Sequence, residues 1–253
     1  MALHCQTRPV PHALDDMTEM AVRRVWAERL GVSPAVFAHA EPVFIVRPGL
    51  TAAVVVRLEK TVVVAAPELA LSALRSLAPR HLLDVGALLT ALEPLAPSLF
   101  GVAMLAFADR GTIVSARSDA VRMASDAEVA AVMSACSTEE RDESGLLAMD
   151  RRWITWADGV EPAAAAGYEV WGGGLAHIGV ATAPAFRGKG FGAQAAAVAA
   201  LHAIGAGLVA QWRCRAGNIA SARLGERLGF VPVGEQIAID LAACVADVPP
   251  EAR

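Results

Sequence analysis

Little in the chain marks it for a metal, a disulfide framework or a nucleic acid. Four cysteines fall among 253 residues. Cys5, Cys136, Cys214 and Cys244 form no CxxC pair and no Cys/His cluster. Free thiols in a reducing cytosol, and no metal site, are the expectation. The formal net charge is only −4, which removes any electrostatic push toward nucleic acid. The opening MALHCQTRPVPH lacks the apolar core of a secretory leader. One run imitates a membrane span, residues 191–212. It is built largely of Ala and Gly, carries Gln194, His202 and Gln211, and is broken at Gly205-Ala206-Gly207. A helix followed by a strand suits it better than a span. No internal repeat stands out. A cytoplasmic protein without membrane or nucleic-acid partners is therefore expected.

What the chain does have is apolar content. It is 55% hydrophobic and 19% charged, with a mean hydropathy of +0.44. That supports a sizeable core and argues against disorder. The length allows one large domain or two small ones. Helical spacing of Met17, Met20, Ala21, Val25 and Leu30, stopped by Gly31, predicts a helix over 15–31. AAVVVRLEKTVVVAAPEL predicts strands at 52–58 and 61–65 around a turn at Glu59-Lys60. Pro67 opens a helix through about Leu77, and a second helix covers 82–92. SLFGVAMLAFAD reads as a buried strand. The polar stretch 111–119 predicts a boundary, giving an α+β domain at 1–117 and a second domain at 118–253.

In the second half, AVRMAS is a short strand and Ser125 or Asp126 caps a helix over 127–136. Residues 137–144 read as a charged link. Strands follow at RWITWADG, AAAAGYEVW and LAHIGVATA. A glycine-rich loop, a helix over 190–204, a strand at 208–214, a helix at 219–228 and a last strand at 234–241 complete the pattern.

The loop Arg187-Gly188-Lys189-Gly190-Phe191-Gly192 concentrates glycines and cations ahead of a helix, which suits a phosphate. A Walker A loop would need a glycine where Ala183 stands and Ser or Thr where Gly190 stands. The dinucleotide fingerprint matches the string Gly188 to Ala193. Pro184 to Arg187, however, separates it from the strand, and too little chain remains for a doubly wound sheet.

A third reading rests on two blocks together. VATAPAFRGKGFG resembles the R/Q-x-x-G-x-G/A pyrophosphate loop of the GNAT superfamily of N-acetyltransferases, with Arg187, Gly190 and Gly192 on the motif positions. NIASARLGERLGF resembles that family's N-x-x-[AS]-x-x-x-[YF]-x-[KR]-x-G-F block through Asn218, Ser221, Arg227, Gly229 and Phe230. AVRMASDAEVAAVMSAC is similar to the family's opening strand and helix. The resemblance covers about residues 120–243. It implies a mixed α/β (α+β) fold with a GNAT-like acyltransferase domain in the C-terminal half. The strand pair and helix of the N-terminal α+β domain are compatible with a degenerate copy of that fold.

The resemblance also implies a function: transfer of acetyl directly from acetyl-CoA, as co-substrate, to the primary amine of a small acceptor. Backbone at Ile178, Val180 and Thr182, the loop Arg187, Gly188, Lys189, Gly190, Phe191, Gly192 and Ala193, and Asn218 with Ser221 would hold the coenzyme. The Val180 N–H would face the developing oxyanion. The family's usual tyrosine acid is replaced by Gly225, and the only tyrosine, Tyr168, lies before the loop. This keeps a non-catalytic acyl-CoA-binding module as the alternative. Water or Ser221 would then have to protonate the leaving sulfur.

Candidate bases are His177, two residues before Gly179, and Glu143 or Asp142 in the charged link. Each has a plain counterpart: a strand histidine satisfied by a neighbour, and a solvated acidic face. Trp153, Trp156 and Trp171 would wall a cleft or simply pack in the core. Asn218 is a good helix cap in any fold, and Cys214 is a small buried residue rather than a nucleophile. For the N-terminal third, dimerisation (a homodimer) or one wall of the acceptor site is left open.

Overall fold

The computed structural model describes residues 13–114 and 120–242. Cys5, Cys244 and the boundary expected at 117/118 lie outside the described residues. Two compact units divide the chain. One takes Ala106–Trp212, Arg223–Val231 and the chain up to Glu19. The other takes Met20–Leu105, Arg213–Ala222 and the chain from Pro232 onward.

The first half begins with α1 (Asp16–Leu30), β1 (Val43–Val46), β2 (Ala52–Leu58) and β3 (Thr61–Ala66). It continues with α2 (Glu68–Leu74), α3 (Val85–Ala91) and β4 (Pro97–Ala108). β2 and β3 pair antiparallel from Val54↔Ala65 to Leu58↔Thr61, closed by Glu59 at φ 52°. Every residue of β3 is buried, as expected where an unbroken TVVVAA run is covered on both faces. β1 then adds in parallel, Val43↔Val63 to Val46↔Ala66. Its four residues, VFIV between Pro42 and Pro48, were too short to read from the sequence. Leu71, Leu74 and Leu88 of α2 and α3 close over Val55, Val62 and Val64. The Asp84 carboxylate caps α3 by accepting from the Ala87 N–H at 3.0 Å.

The second half runs β5 (Val121–Met123), α4 (Asp126–Ser134), α5 (Thr138–Ser144), β6 (Arg151–Ala157) and β7 (Glu161–Trp171). β8 (Leu175–Thr182), α6 (Phe191–Gly205), β9 (Val209–Arg215), α7 (Ile219–Leu228) and β10 (Val231–Leu241) follow. In the first unit the strand order is β9-β8-β7-β6-β5. β5 to β8 are antiparallel, and β8 to β9 is parallel. One face is packed by α6 through Ala195, Ala196, Ala199, Ala200 and Ala203, all fully buried. The other is packed by α4 through Val129, Val132 and Met133 against Ile154, Ala165 and Ala181. The segment expected to be a charged link is α5. Ser137 and Glu140 form a capping box around its first turn, so local hydrogen bonds make a helix where apolar periodicity is missing.

β10 pairs antiparallel with β2 over seven positions, Gly234↔Leu58 to Asp240↔Ala52. The order in the second unit is thus β1-β3-β2-β10-β4. Ile237, Ile239 and Leu241 join the core under α2 and α3. The N-terminal third takes a strand from the far end of the chain, which gives the degenerate-copy expectation no support. Among the described residues, no helix is long and apolar enough to cross a membrane.

Candidate functional site

The glycine loop leads straight into α6. Gly188 and Gly190 hold φ of 77° and 89°, a backbone that side chains with a Cβ rarely adopt. Gly190 is the N-cap and has no side-chain capping bond. The first helical bond runs from the Gln194 N–H to the Gly190 carbonyl. The N–H groups of Phe191, Gly192 and Ala193 therefore point out of the helix end, where an anion is favoured. Gly192 is required for another reason: a Cβ there would sit 2.4 Å from Thr182 Oγ1. The helix start is thus pressed onto the end of β8.

β8 pairs with β9 only from Leu175↔Val209 to His177↔Gln211. Ile178 to Thr182 carry β8 on past the last paired position. The β7 register sorts its side chains. Ile178, Val180 and Thr182 lie opposite Tyr168, Ala166 and Ala164, on the α6 face. His177, Gly179 and Ala181 lie opposite Glu169, Gly167 and Ala165, on the face of α4 and α5. The end of α5 covers Gly179 closely, since a Cβ there would lie 2.1 Å from the Ser144 carbonyl oxygen. His177 and the helix carrying Glu143 are therefore on one face of the sheet.

Around His177 the face is polar and aromatic. The Trp171 ring stacks on it, centroids 4.5 Å apart at 25°. Trp171 Nε1 donates to Glu169 Oε2 at 2.9 Å. Gln211, beside His177 on β9, is wholly buried. Its Nε2 and Oε1 have no hydrogen-bond partner. Sequence reasoning missed Glu169 and Gln211 as site residues. The signal for Gln211 was a single carboxamide inside the apolar run LVAQW.

Arg187 is engaged with α5 and the end of β8. Its Nη2 pairs with Glu140 Oε1 at 2.8 Å, and its Nε donates to the Thr182 carbonyl at 3.2 Å. Glu140 also accepts from the Ser137 N–H at 2.9 Å. That N–H first, and Arg187 after it, hold the Glu140 carboxyl below its ordinary range. Lys189 Nζ lies 5.3 Å from the centre of the Phe186 ring. Burial, then Glu140, pushes the Cys136 thiol up, so it is a poor nucleophile.

The three tryptophans do not form one wall. Trp153 packs with Tyr168 and with His202 of α6, whereas Trp156 lies on the α4 face. The Tyr168 hydroxyl and His202 Nδ1 are 3.0 Å apart, so the only tyrosine belongs to the α6 face. At Gly225 a Cβ would meet Trp212 Cδ1 at 2.9 Å; the indole occupies the space where the resemblance implies a tyrosine. Asn218 and Ser221 belong to the second unit, where Asn218 Oδ1 accepts from the Ser221 N–H at 3.0 Å, a helix cap. Cys136 and Cys214 are buried. Among the described residues no three His, Cys, Asp or Glu side chains gather as a metal site would require.

Comparison with known proteins gives one family. The model of the acetyltransferase (GNAT) family matches residues 120–230. No curated protein matches the chain. Among solved structures, an acetyltransferase from the GNAT family of Colwellia psychrerythraea is 14% identical, with TM-score 0.45 over 57% of each chain. A GCN5-related N-acetyltransferase of Kribbella flavida is 20% identical, with TM-score 0.46 over 62% of this chain and 63% of that one. The chain thus spans less than two thirds of either. yncA of Salmonella typhimurium, solved with its cofactor acetyl-CoA, is 18% identical, with TM-score 0.36 over 48% of this chain and 92% of its own.

Proposed function

We propose, from the match of residues 120–230 to the acetyltransferase (GNAT) family model, that the protein transfers acetyl from acetyl-CoA to the primary amine of a small acceptor. One observation carries the reading. β8 leaves its pairing with β9 after His177↔Gln211, beside a helix end whose first N–H groups have no side-chain cap.

The residues fit the coenzyme. The N–H groups at the start of α6 suit a diphosphate. Space is open beside Gly188 and Gly190, where an added Cβ would meet nothing within 4 Å. The backbone of Ile178, Val180 and Thr182, past the last pair, offers hydrogen bonds to an extended amide-bearing arm. Acetyl-CoA supplies a thioester whose thiolate is a tolerable leaving group, since thiol pKa values lie near ~8.5.

His177 is the base in this reading. It takes a proton as the amine nitrogen bonds to the acyl carbon and the carbon–sulfur bond breaks; the sulfur leaves as thiolate and is protonated by water. The Val180 N–H faces the carbonyl oxygen as it gains charge. Holding both reactants in one cleft supplies the alignment. Glu143 and Glu169 on the same face attract a cationic acceptor.

Calorimetry with acetyl-CoA, followed by thiol release across an amine panel, tests this. Binding with release of free CoA in the presence of an amine is expected, and Gly190→Val should abolish the binding. Binding without thiol release from any amine would instead establish the alternative, a non-catalytic acyl-CoA-binding module.

A further inference from the structure

We infer that Gln211 is a catalytic residue whose carboxamide donates a hydrogen bond to the acyl carbonyl oxygen of the acetyl donor. This rests on the acetyltransferase reading above.

Three observations meet at this side chain. Gln211 has no exposed surface, and both ends of its carboxamide are without a partner. Buried polar groups are nearly always hydrogen-bonded, and an orphaned pair on one side chain is costly to keep. A leucine of similar length would fill the same space without that cost. Among the described residues, then, nothing accounts for a glutamine at this position.

Its place in the sheet does. Gln211 and His177 form the last matched pair of β8 with β9, after which β8 keeps only its pairing with β7. In a parallel ladder, neighbouring residues in register project to the same face, with strands about 4.8 Å apart. Gln211 therefore stands beside the candidate base, at the vertex from which the two strands diverge. An acyl group entering between the parted strands ends at that vertex. A fixed donor in a dry site is worth far more there than in water.

The chemistry uses both ends of the amide. As the amine nitrogen bonds to the acyl carbon, the carbonyl π electrons move onto oxygen, and Gln211 Nε2–H meets that charge. The charge returns as the carbon–sulfur bond breaks, so Gln211 gains and loses no proton. Its Oε1 remains an acceptor for an N–H of the incoming amine.

The test compares wild type with Gln211→Leu and Gln211→Glu. Removing a donor of this kind costs about 10²–10³-fold in kcat, so Gln211→Leu should lose that much with little change in KM for acetyl-CoA. Its thermal midpoint should hold or rise, because an unmatched polar group has gone. The readout independent of turnover is the infrared carbonyl band of bound acetyl-CoA labelled with ¹³C at the carbonyl. The band should lie lower in wild type than in Gln211→Leu, because a hydrogen bond to the oxygen weakens the double bond. Gln211→Glu, which offers no donor when ionised, should resemble Gln211→Leu. If the band is the same in wild type and Gln211→Leu, the inference falls while the acetyltransferase reading stands. If acetyl-CoA does not bind at all, both fall. A midpoint that drops sharply with an unmoved carbonyl band would make Gln211 a packing residue only.

Discussion

Gly225 shows how a single residue is settled by something far off in sequence. The resemblance marks it as a lost tyrosine, and nothing nearby explains the loss. The explanation is Trp212, whose indole lies 2.9–3.1 Å from where a Cβ would be built and packs on Phe230 at 5.2 Å. Gly225→Ala should therefore cost about 1–3 kcal/mol, as overpacking does. Gly225→Tyr should cost more and restore no acid function. Denaturant unfolding, read beside a thiol-release assay, checks both; a stable Gly225→Tyr variant with raised activity would mean that the indole yields easily. Gln211 was equally hidden. Its unusual standing comes from burial and from its partner strand, neither of which a sequence displays. The loop glycines, by contrast, were legible, because a positive φ and a close approach leave a residue-type signature.

Among the elements, legibility followed local chemistry. The helix at α4 was plain from Ser125, and the helix at α5 was missed although Ser137-x-x-Glu140 is the same capping signal. The difference is apolar periodicity: α4 buries Val129, Val132 and Met133, whereas TEERDES has no such stripe. The α4 box also yields a pH prediction. Arg122, then the Ser125 N–H, hold the Glu128 carboxyl down to about 2, against an ordinary glutamate near ~4.3. A depressed folded value means that the contribution is complete above about pH 4.3 and is lost as pH falls toward about 2. Unfolding measured across that window should show a steeper loss in wild type than in Glu128→Gln. Parallel curves for the two proteins would contradict the assignment. The Arg187–Glu140 pair belongs to this scale as well. It ties the loop to the first turn of α5, the helix that covers β8 at Gly179. The motif arginine also serves as a strut between elements.

For the whole molecule, the expectation of two domains in sequence meets a chain that crosses back. The strand periods were read correctly, but pairing is a long-range property, and no pattern in GEQIAIDL names its partner. β10 pairs with β2 over seven positions and delivers Ile237, Ile239 and Leu241 to a core otherwise made of N-terminal residues. A fragment of residues 118–253 should therefore expose that apolar strand, with an unpaired edge. Size-exclusion chromatography and circular dichroism should find it aggregated or partly unfolded. Co-expression with residues 1–117 should recover soluble material. A monodisperse, cooperatively unfolding fragment would show that β10 does not need β2.

The same pairing bears on how the protein is made. Arg57 of β2 meets Glu235 of β10 at 2.8 Å across 178 residues of chain. On the ribosome, β2 emerges and waits, one edge unpaired, while the chain between it and β10 is made. Domains generally fold as units, N-terminal first, during synthesis; this chain cannot follow that order. The outer edge of its β2–β3 hairpin stays open until β10 arrives, and in that interval it is exposed to chaperones and to aggregation.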